Sequence, residues 1–202
     1  ACALLIELDE QAEVLGLYRE IERRREGGWQ PGLKDVVPAA RTILLDGVED
    51  QELLRNDILT WPKPELHLPD GPAVTVPTTY DGEDLEAVAA TWRMTVMAAV
   101  KVHLSIEFQV AFCGFSPGFA YLSGLPEELI VPRRDTPRAV VPAGSVALAG
   151  EYSGIYPRSS PGGWQLIGRT KVKLWDPGRR SPALLVPGMR VRFMEVKGRG
   201  SG

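Results

Sequence analysis

Cysteine and histidine are both scarce in this 202-residue chain. Each occurs only twice, as Cys2 and Cys113 and as His67 and His103. Two distant cysteines with no C-x-x-C run exclude a disulfide framework and a cysteine zinc site. Two histidines are too few for a histidine-based metal centre. A carboxylate site for a hard cation stays open, but no Asp-x-Asp spacing supports one, and no metal is indicated. Long apolar runs are also missing. None approaches the roughly 20 residues of a membrane helix. A net charge of -3 lacks the basic excess of a general nucleic-acid binder. There is no basic-then-apolar leader, and the expectation is a cytoplasmic protein. What remains is a chain with 44% hydrophobic and 24% charged residues, enough for one large domain or two small ones.

Read in order, Ala3–Leu8 is an apolar run that predicts a first strand. Asp9 is placed to cap a helix whose apolar side is Ala12, Leu15, Leu17 and Ile21. Arg23, Arg24 and Arg25 suit its C-terminal end, and Gly27-Gly28 stops it. Leu33–Val37 and Arg41–Leu45 read as short strands, and Val48–Leu59 as a second helix. Strand, helix, strand, strand, helix suggests a small α+β unit of split-βαβ type over 1–65. Trp61-Pro62-Lys63-Pro64 opens a linker, which also holds His67. The second unit, 70–198, begins with a strand at Ala73–Thr79. Helices at Asp84–Trp92 and Thr95–His103 follow, then an alternating strand at Ile106–Phe112. Short strands come after it at Ala139–Val141, Ser145–Ala149, Gly154–Tyr156, Trp164–Thr170, Lys171–Trp175 and Met189–Val196. Many short strands at close spacing predict a sandwich or closed barrel.

The chemistry concentrates between Phe112 and Thr170. Glycines there permit positive φ and close approach, and prolines pin the backbone. From Val131 to Lys171 the chain carries Arg133, Arg134, Arg138, Arg158, Arg169 and Lys171 against only Asp135 and Glu151. An arginine fork suits carboxylate and phosphate. The segment is therefore either an anion site on rigid turns or a set of surface arginines. His103, at a helix end, is either a general acid-base or a cation favoured by the helix C-terminus. Ser116 in Gly114-Phe115-Ser116-Pro117-Gly118 lacks the nucleophile-elbow pattern and is kept as a ligand donor. Gly162-Gly163 offers N–H groups to an anion or makes a tight hairpin. Trp164 stacks on a ligand or fills the barrel.

Several ordered motifs together resemble one family. They are Gly114-Phe115-Ser116-Pro117-Gly118-Phe119-Ala120-Tyr121-Leu122, Val131-Pro132-Arg133-Arg134, Thr136-Pro137-Arg138, and Val141-Pro142-Ala143-Gly144-Ser145. Ser160-Pro161-Gly162-Gly163-Trp164-Gln165-Leu166-Ile167-Gly168-Arg169-Thr170 is the longest. Asp35-Val36-Val37-Pro38 and Tyr80-Asp81-Gly82-Glu83-Asp84-Leu85 extend the likeness over nearly the whole chain. The family is allophanate hydrolase subunit 1, also known as the B-type subunit of 5-oxoprolinase (PxpB). It includes the kinase inhibitor KipI and corresponds to carboxyltransferase subdomains C and D. The resemblance implies an α+β fold, a small N-terminal subdomain followed by a cyclophilin-like β-barrel. It implies a subunit 2 partner (PxpC/KipA-like) and a third lactam-hydrolase component (PxpA-like), with no nucleic acid or membrane. In the 5-oxoprolinase branch the complex opens 5-oxoproline to glutamate at the expense of ATP. In the carboxyltransferase branch the site receives carboxybiotin and urea, so biotin enters only in that alternative. In the KipI branch the chain would inhibit a sensor histidine kinase.

The resemblance expects His103, Arg133 and Arg169 as catalytic groups. It expects Ser116, Pro117, Gly118, Phe119, Arg138, Ser145 and Gln165 to bind substrate or nucleotide. Leu104 replaces the expected hydroxyl residue after the histidine, and Tyr152 stands where glutamine is expected before Ser153-Gly154-Ile155-Tyr156-Pro157. There is no Walker-type loop, so ATP would have to be held by the arginine-bearing turns and the partner.

Overall fold

The computed structural model describes residues 2–29, 31–62 and 73–197. The chain divides into two compact units, Ala1–Pro69 and Asp70–Gly202. The proline-bearing stretch expected to join them, with His67, falls at 63–72, outside the described residues.

The first unit runs β1 (Cys2–Glu7), α1 (Gln11–Glu26), β2 (Asp35–Pro38), β3 (Thr42–Val48), α2 (Gln51–Leu59). Its sheet is antiparallel, in the order β1-β3-β2. Val14, Leu17 and Ile21 recur at helical spacing on α1 and pack with Val36, Ile43, Leu45 and Leu54. The cap of α1 is Glu10, one residue beyond the expected Asp9, because the Glu13 carboxylate reaches back to the Glu10 N–H at 3.3 Å. Helix α2 starts later than Val48, which ends β3 opposite Cys2. The Asp50 carboxylate caps it, accepting from the N–H groups of Glu52 and Leu53 at 3.0 and 2.9 Å. The basic run at the end of α1 is matched on its own helix, Arg23 and Arg24 by Glu20 and Arg25 by Glu22.

The second unit runs β4 (Val74–Thr78), α3 (Leu85–Thr91), α4 (Val96–Ser105), β5 (Phe108–Cys113), β6 (Ala120–Ser123) and a 3-10 turn at Glu127–Leu129. It continues with β7 (Arg138–Val141), β8 (Ser145–Ala149), β9 (Tyr152–Ile155), β10 (Ser160–Gly162), β11 (Gln165–Arg169) and β12 (Arg190–Glu195). Seven strands form one sheet, β11-β8-β9-β6-β5-β12-β4, antiparallel except for β12 beside β4. Thr79 and Arg169 exchange two backbone hydrogen bonds of 2.8 Å, which draws the two edges together into a nearly closed barrel. Val110, Leu122, Val146, Leu148, Ile155 and Phe193 fill it, with Val88 and Ala89 of α3 and Ala99 and Val100 of α4 in the same core.

Strands β7 and β10 pair separately as a two-stranded ribbon. All five residues of β8 are buried. Val146 and Leu148 belong to the barrel core, while Ala147 and Ala149 belong to a second, aromatic-rich cluster with Phe119, Val141, Tyr156, Trp164 and Leu166. The Lys171–Trp175 segment departs from the strand that its alternation predicts. It forms no ladder; Leu174 is buried, and Trp175 makes only an isolated bridge to Ala183. Strands β6 and β10 carry no clear alternation of their own and are additions to the predicted set. Among the described residues no helix is long and apolar enough to cross a membrane.

Candidate functional site

The second cluster opens into a cavity of about 200 Å3 lined by Phe115, Phe119, Tyr121, Arg133, Tyr156, Pro161, Gly162 and Trp164. Small residues on β8, Ala147 and Ala149, leave room for the rings. Phe119 meets Tyr156 and Trp164 edge-on at 5.4 Å, and Tyr121 at 5.1 Å. Gly162 is required here, since a Cβ would fall on the Tyr156 hydroxyl. Phe115 stands at the rim. It is 60% exposed and holds φ at 65°, in the left-handed region that favours glycine.

Arg133 brings the charge. It is exposed, and among the described residues its guanidinium makes no hydrogen bond or ion pair. The loop that carries it is fixed on both sides. Gln165 donates to the Pro132 carbonyl at 3.1 Å, and the Arg134 N–H donates to the Gly163 carbonyl at 2.8 Å. Gly150 N–H donates to the Val131 carbonyl at 2.7 Å.

The arginines at 134, 138 and 169 are committed, and to one upstream segment. Asp84, 5% exposed at the start of α3, accepts from Arg134 Nη1 at 2.7 Å and from Arg138 Nη2 at 2.8 Å through Oδ1. Its Oδ2 accepts the Leu166 N–H at 2.7 Å. Glu83 accepts from Arg138 at 3.1 Å, and Asp81 forms an ion pair with Arg169 at 2.6 Å. Gly82 lets this segment lie against β11, where a Cβ would strike the Leu166 carbonyl. Tyr80-Asp81-Gly82-Glu83-Asp84 is thus a latch for the arginine-bearing turns. Burial pushes the Asp84 carboxyl up, but the bonds from Arg138 and Leu166 outweigh it and hold the group below the ordinary carboxylate range.

The expected site residues therefore separate. Arg133 and Phe119 meet at the cavity. Arg138 and Gln165 support the loop. Arg169 lies at the barrel seam on Asp81. Ser145 closes its own turn, donating to the Pro142 carbonyl at 2.8 Å. Gly118, at φ 86°, permits the turn that delivers Phe119 and packs beside Trp175. Pro117 is exposed, and Ser116 Oγ is buried with no hydrogen-bond partner among the described residues. His103 is 1% exposed in the barrel core, between Phe108 and Phe193. Its Nδ1 meets the Tyr80 hydroxyl at 2.7 Å and its Nε2 the Ser153 hydroxyl at 3.4 Å. Burial lowers its pKa to about 3, so it is neutral at physiological pH. It is not among the cavity residues.

Sequence reading passes over Phe115, Tyr121, Tyr156 and the latch carboxylates. The signal for the latch is Asp81, Glu83 and Asp84 in one short motif, set against an arginine-rich segment elsewhere. Burial raises the pKa of Tyr121 and Tyr156, with Arg133 opposing it, and both remain neutral phenols.

These residues do not fit a nucleotide. Sites for drug-sized ligands run to roughly 300–1,000 Å3, and this cavity is smaller. Arg134, Arg138 and Arg169, which would have met phosphates, already meet carboxylates. Among the described residues no group of three or more His, Cys, Asp or Glu is placed to hold a metal ion.

A nearly closed barrel with an arginine-rimmed aromatic pocket, in a chain that begins with a split-βαβ unit, defines a recognisable class. Residues 2–185 match the family described as carboxyltransferase domain, subdomain C and D, and the chain belongs to that family. It is 41% identical over 173 residues to the 5-oxoprolinase B-type subunit of Escherichia coli O157:H7, covering 83% of this chain and 77% of that one. Among solved structures, TTHA0988 superposes with a TM-score of 0.82 at 35% identity. The match covers 98% of this chain and 41% of TTHA0988, so the chain spans about two-fifths of that protein's length. The urea carboxylase of Kluyveromyces lactis matches with a TM-score of 0.67 at 19% identity, over 96% of this chain and 21% of that one, a likeness of fold.

Proposed function

We propose that this chain is the B-type subunit of an ATP-dependent 5-oxoprolinase, inactive alone and cytoplasmic. The observation that carries the reading is the 41% identity to the B-type 5-oxoprolinase subunit of Escherichia coli O157:H7 across 83% of the chain. The partners in this reading are a subunit 2 protein and a third lactam-hydrolase component. The length of TTHA0988 beyond its matched 41% supports an extensive protein partner for this fold. Ring opening adds water across the lactam C–N bond and yields the second carboxylate and the amine of glutamate, with ATP hydrolysed alongside.

Within the complex, Arg133, Phe119, Phe115, Tyr121, Tyr156 and Trp164 form this chain's contribution to the substrate site. Arg138 and Gln165 act as positioning residues. His103 holds the barrel core. An arginine fork without a counter-charge supplies electrostatic stabilisation to an anion without reorganising. A biotin-dependent carboxyltransferase role has only the fold likeness in its favour. The test is co-expression with a subunit 2 homologue and the third component, followed by gel filtration and assay of ADP and glutamate. Co-elution and 5-oxoproline-dependent ADP release are expected. Separate peaks, or ATP hydrolysis indifferent to 5-oxoproline, count against the reading.

A further inference from the structure

We infer that the cavity beside Arg133 is the lactam site of this chain: it takes a small cyclic monocarboxylic acid, carboxylate on Arg133 and ring between Phe119, Tyr156 and Trp164, and it excludes the nucleotide. The identity of the ring as 5-oxoproline rests on the proposed function; the class of ligand rests on the site.

Size comes first. A cavity of about 200 Å3 admits a single five-membered ring with one carboxylate and refuses a base, ribose and phosphates together. Charge comes second. Of the five arginines from 133 to 169, Arg134, Arg138 and Arg169 are neutralised by Asp81, Glu83 and Asp84; Arg133 and Arg158 are not, and of these two Arg133 lines the cavity. One free fork at the rim recognises one carboxylate. A polyphosphate would call for several.

Shape and polarity come third. The edge-to-face rings of Phe119, Tyr156 and Trp164, each at most 7% exposed, make stiff apolar walls for a flat ring. The Tyr156 hydroxyl, on a residue that lines the cavity, offers its proton to a carbonyl oxygen such as that of a lactam. Phe115 is held at its left-handed φ beside these rings, 5.4 Å from Phe119 and 6.3 Å from Tyr156. Backbone strain kept in a solvent-facing aromatic at a pocket rim belongs to a binding edge rather than to packing.

The experiment is calorimetric titration of the full chain with 5-oxoproline, with 2-pyrrolidinone, which is the same ring without the carboxylate, and with ATP. Saturable binding of 5-oxoproline is expected. 2-Pyrrolidinone should bind at least about tenfold more weakly, and Arg133→Ala should weaken 5-oxoproline about 10- to 100-fold with an unchanged melting temperature. Arg133→Lys should restore part of the loss, because the charge returns without the fork. ATP should neither bind the chain alone nor compete. No saturable 5-oxoproline binding up to roughly 10 mM, binding that Arg133→Ala leaves intact, or competition by ATP overturns the inference. The same variant in the reconstituted complex separates the two readings. An unchanged KM for 5-oxoproline removes the cavity inference and leaves the subunit role. Arg133-dependent binding in a complex that does not open 5-oxoproline removes the subunit role and leaves the cavity.

Discussion

Arg138 donates to Asp84 at 2.8 Å across 54 residues of sequence, with the two side chains 16% and 7% exposed. The pair ties the start of β7 to the start of α3. Because Asp84 also holds Arg134 and the Leu166 N–H, one carboxylate fixes the far end of the loop that presents Arg133. A buried charge with three donors is strongly held in place, and removing it leaves those donors behind.

Asp84→Asn should accordingly cost stability and function together. Breaking a buried ion pair from one side costs about 3–5 kcal/mol. The amide keeps one acceptor but loses the charge opposite two arginines. Urea denaturation should show the loss, and 5-oxoproline should bind more weakly although Asp84 does not line the cavity. The folded-state carboxyl titrates below its unfolded value, so its contribution is present above about pH 4 and is lost as pH falls through the depressed pKa. A variant as stable as the parent would mean that the latch is not what orders the loop.

The contrast between the arginines gives a second expectation. Arg169 is exposed and paired with Asp81 at 2.6 Å. Exposed pairs contribute about 0–1 kcal/mol, so Arg169→Ala should change stability by no more than that. It should also leave turnover in the complex near normal, while Arg133→Ala lowers it. Equal losses in both variants would return Arg169 to the site and extend the ligand toward the barrel seam.

That contrast also marks where sequence reading stops. Periodicity makes Phe108–Cys113 and Ser145–Ala149 legible, since alternation and β-branched or aromatic content are local properties. It misleads at Lys171–Trp175, where alternation buries Leu174 but no neighbouring strand is there to pair. The arginines are legible as a group because residue type and spacing are written in the chain. Which of them are left without a carboxylate is not. That depends on carboxylates in Asp81–Asp84, roughly 50 residues upstream, brought close only when Gly82 packs on β11. His103 is misplaced for a similar reason. A helix end normally faces water, but here the imidazole packs onto the barrel sheet, against Phe108 of β5 and Phe193 of β12.

His103 should report itself through pH. Its ordinary value is 6.5, and burial lowers it to about 3 in the folded chain, so the folded state favours the neutral ring. Its contribution is complete above about pH 6.5, declines as pH falls toward 3, and is flat below that. The steepest slope from one such group is about 1.4 kcal/mol per pH unit. The groups around it are the Tyr80 and Ser153 hydroxyls and the rings of Phe108 and Phe193, with Glu195 acting on Tyr80. The hydroxyls and rings that touch it do not titrate between about pH 5 and 6.5, which makes that the window to measure. His103→Gln should lower stability at neutral pH and flatten the slope there. Retention of the full slope would assign it to other groups.

Phe115 offers the sharpest separation of binding from stability. A non-glycine residue in the left-handed region costs on the order of 1 kcal/mol, and glycine occupies it freely. The ring is 60% exposed, so removing it forfeits little burial. Phe115→Gly should therefore leave the melting temperature unchanged or raise it slightly, whereas Phe115→Ala keeps the strain and should lower it a little. Both should weaken 5-oxoproline binding, because both remove the ring from the rim of the cavity. If instead Phe115→Gly destabilises the fold as much as a buried phenylalanine would, by about 3–5 kcal/mol, the ring is part of the aromatic core. If binding survives both changes, the ligand sits deeper, on Tyr156 and Trp164 alone. A variant that is more stable yet binds less well is the outcome that a strained binding edge requires.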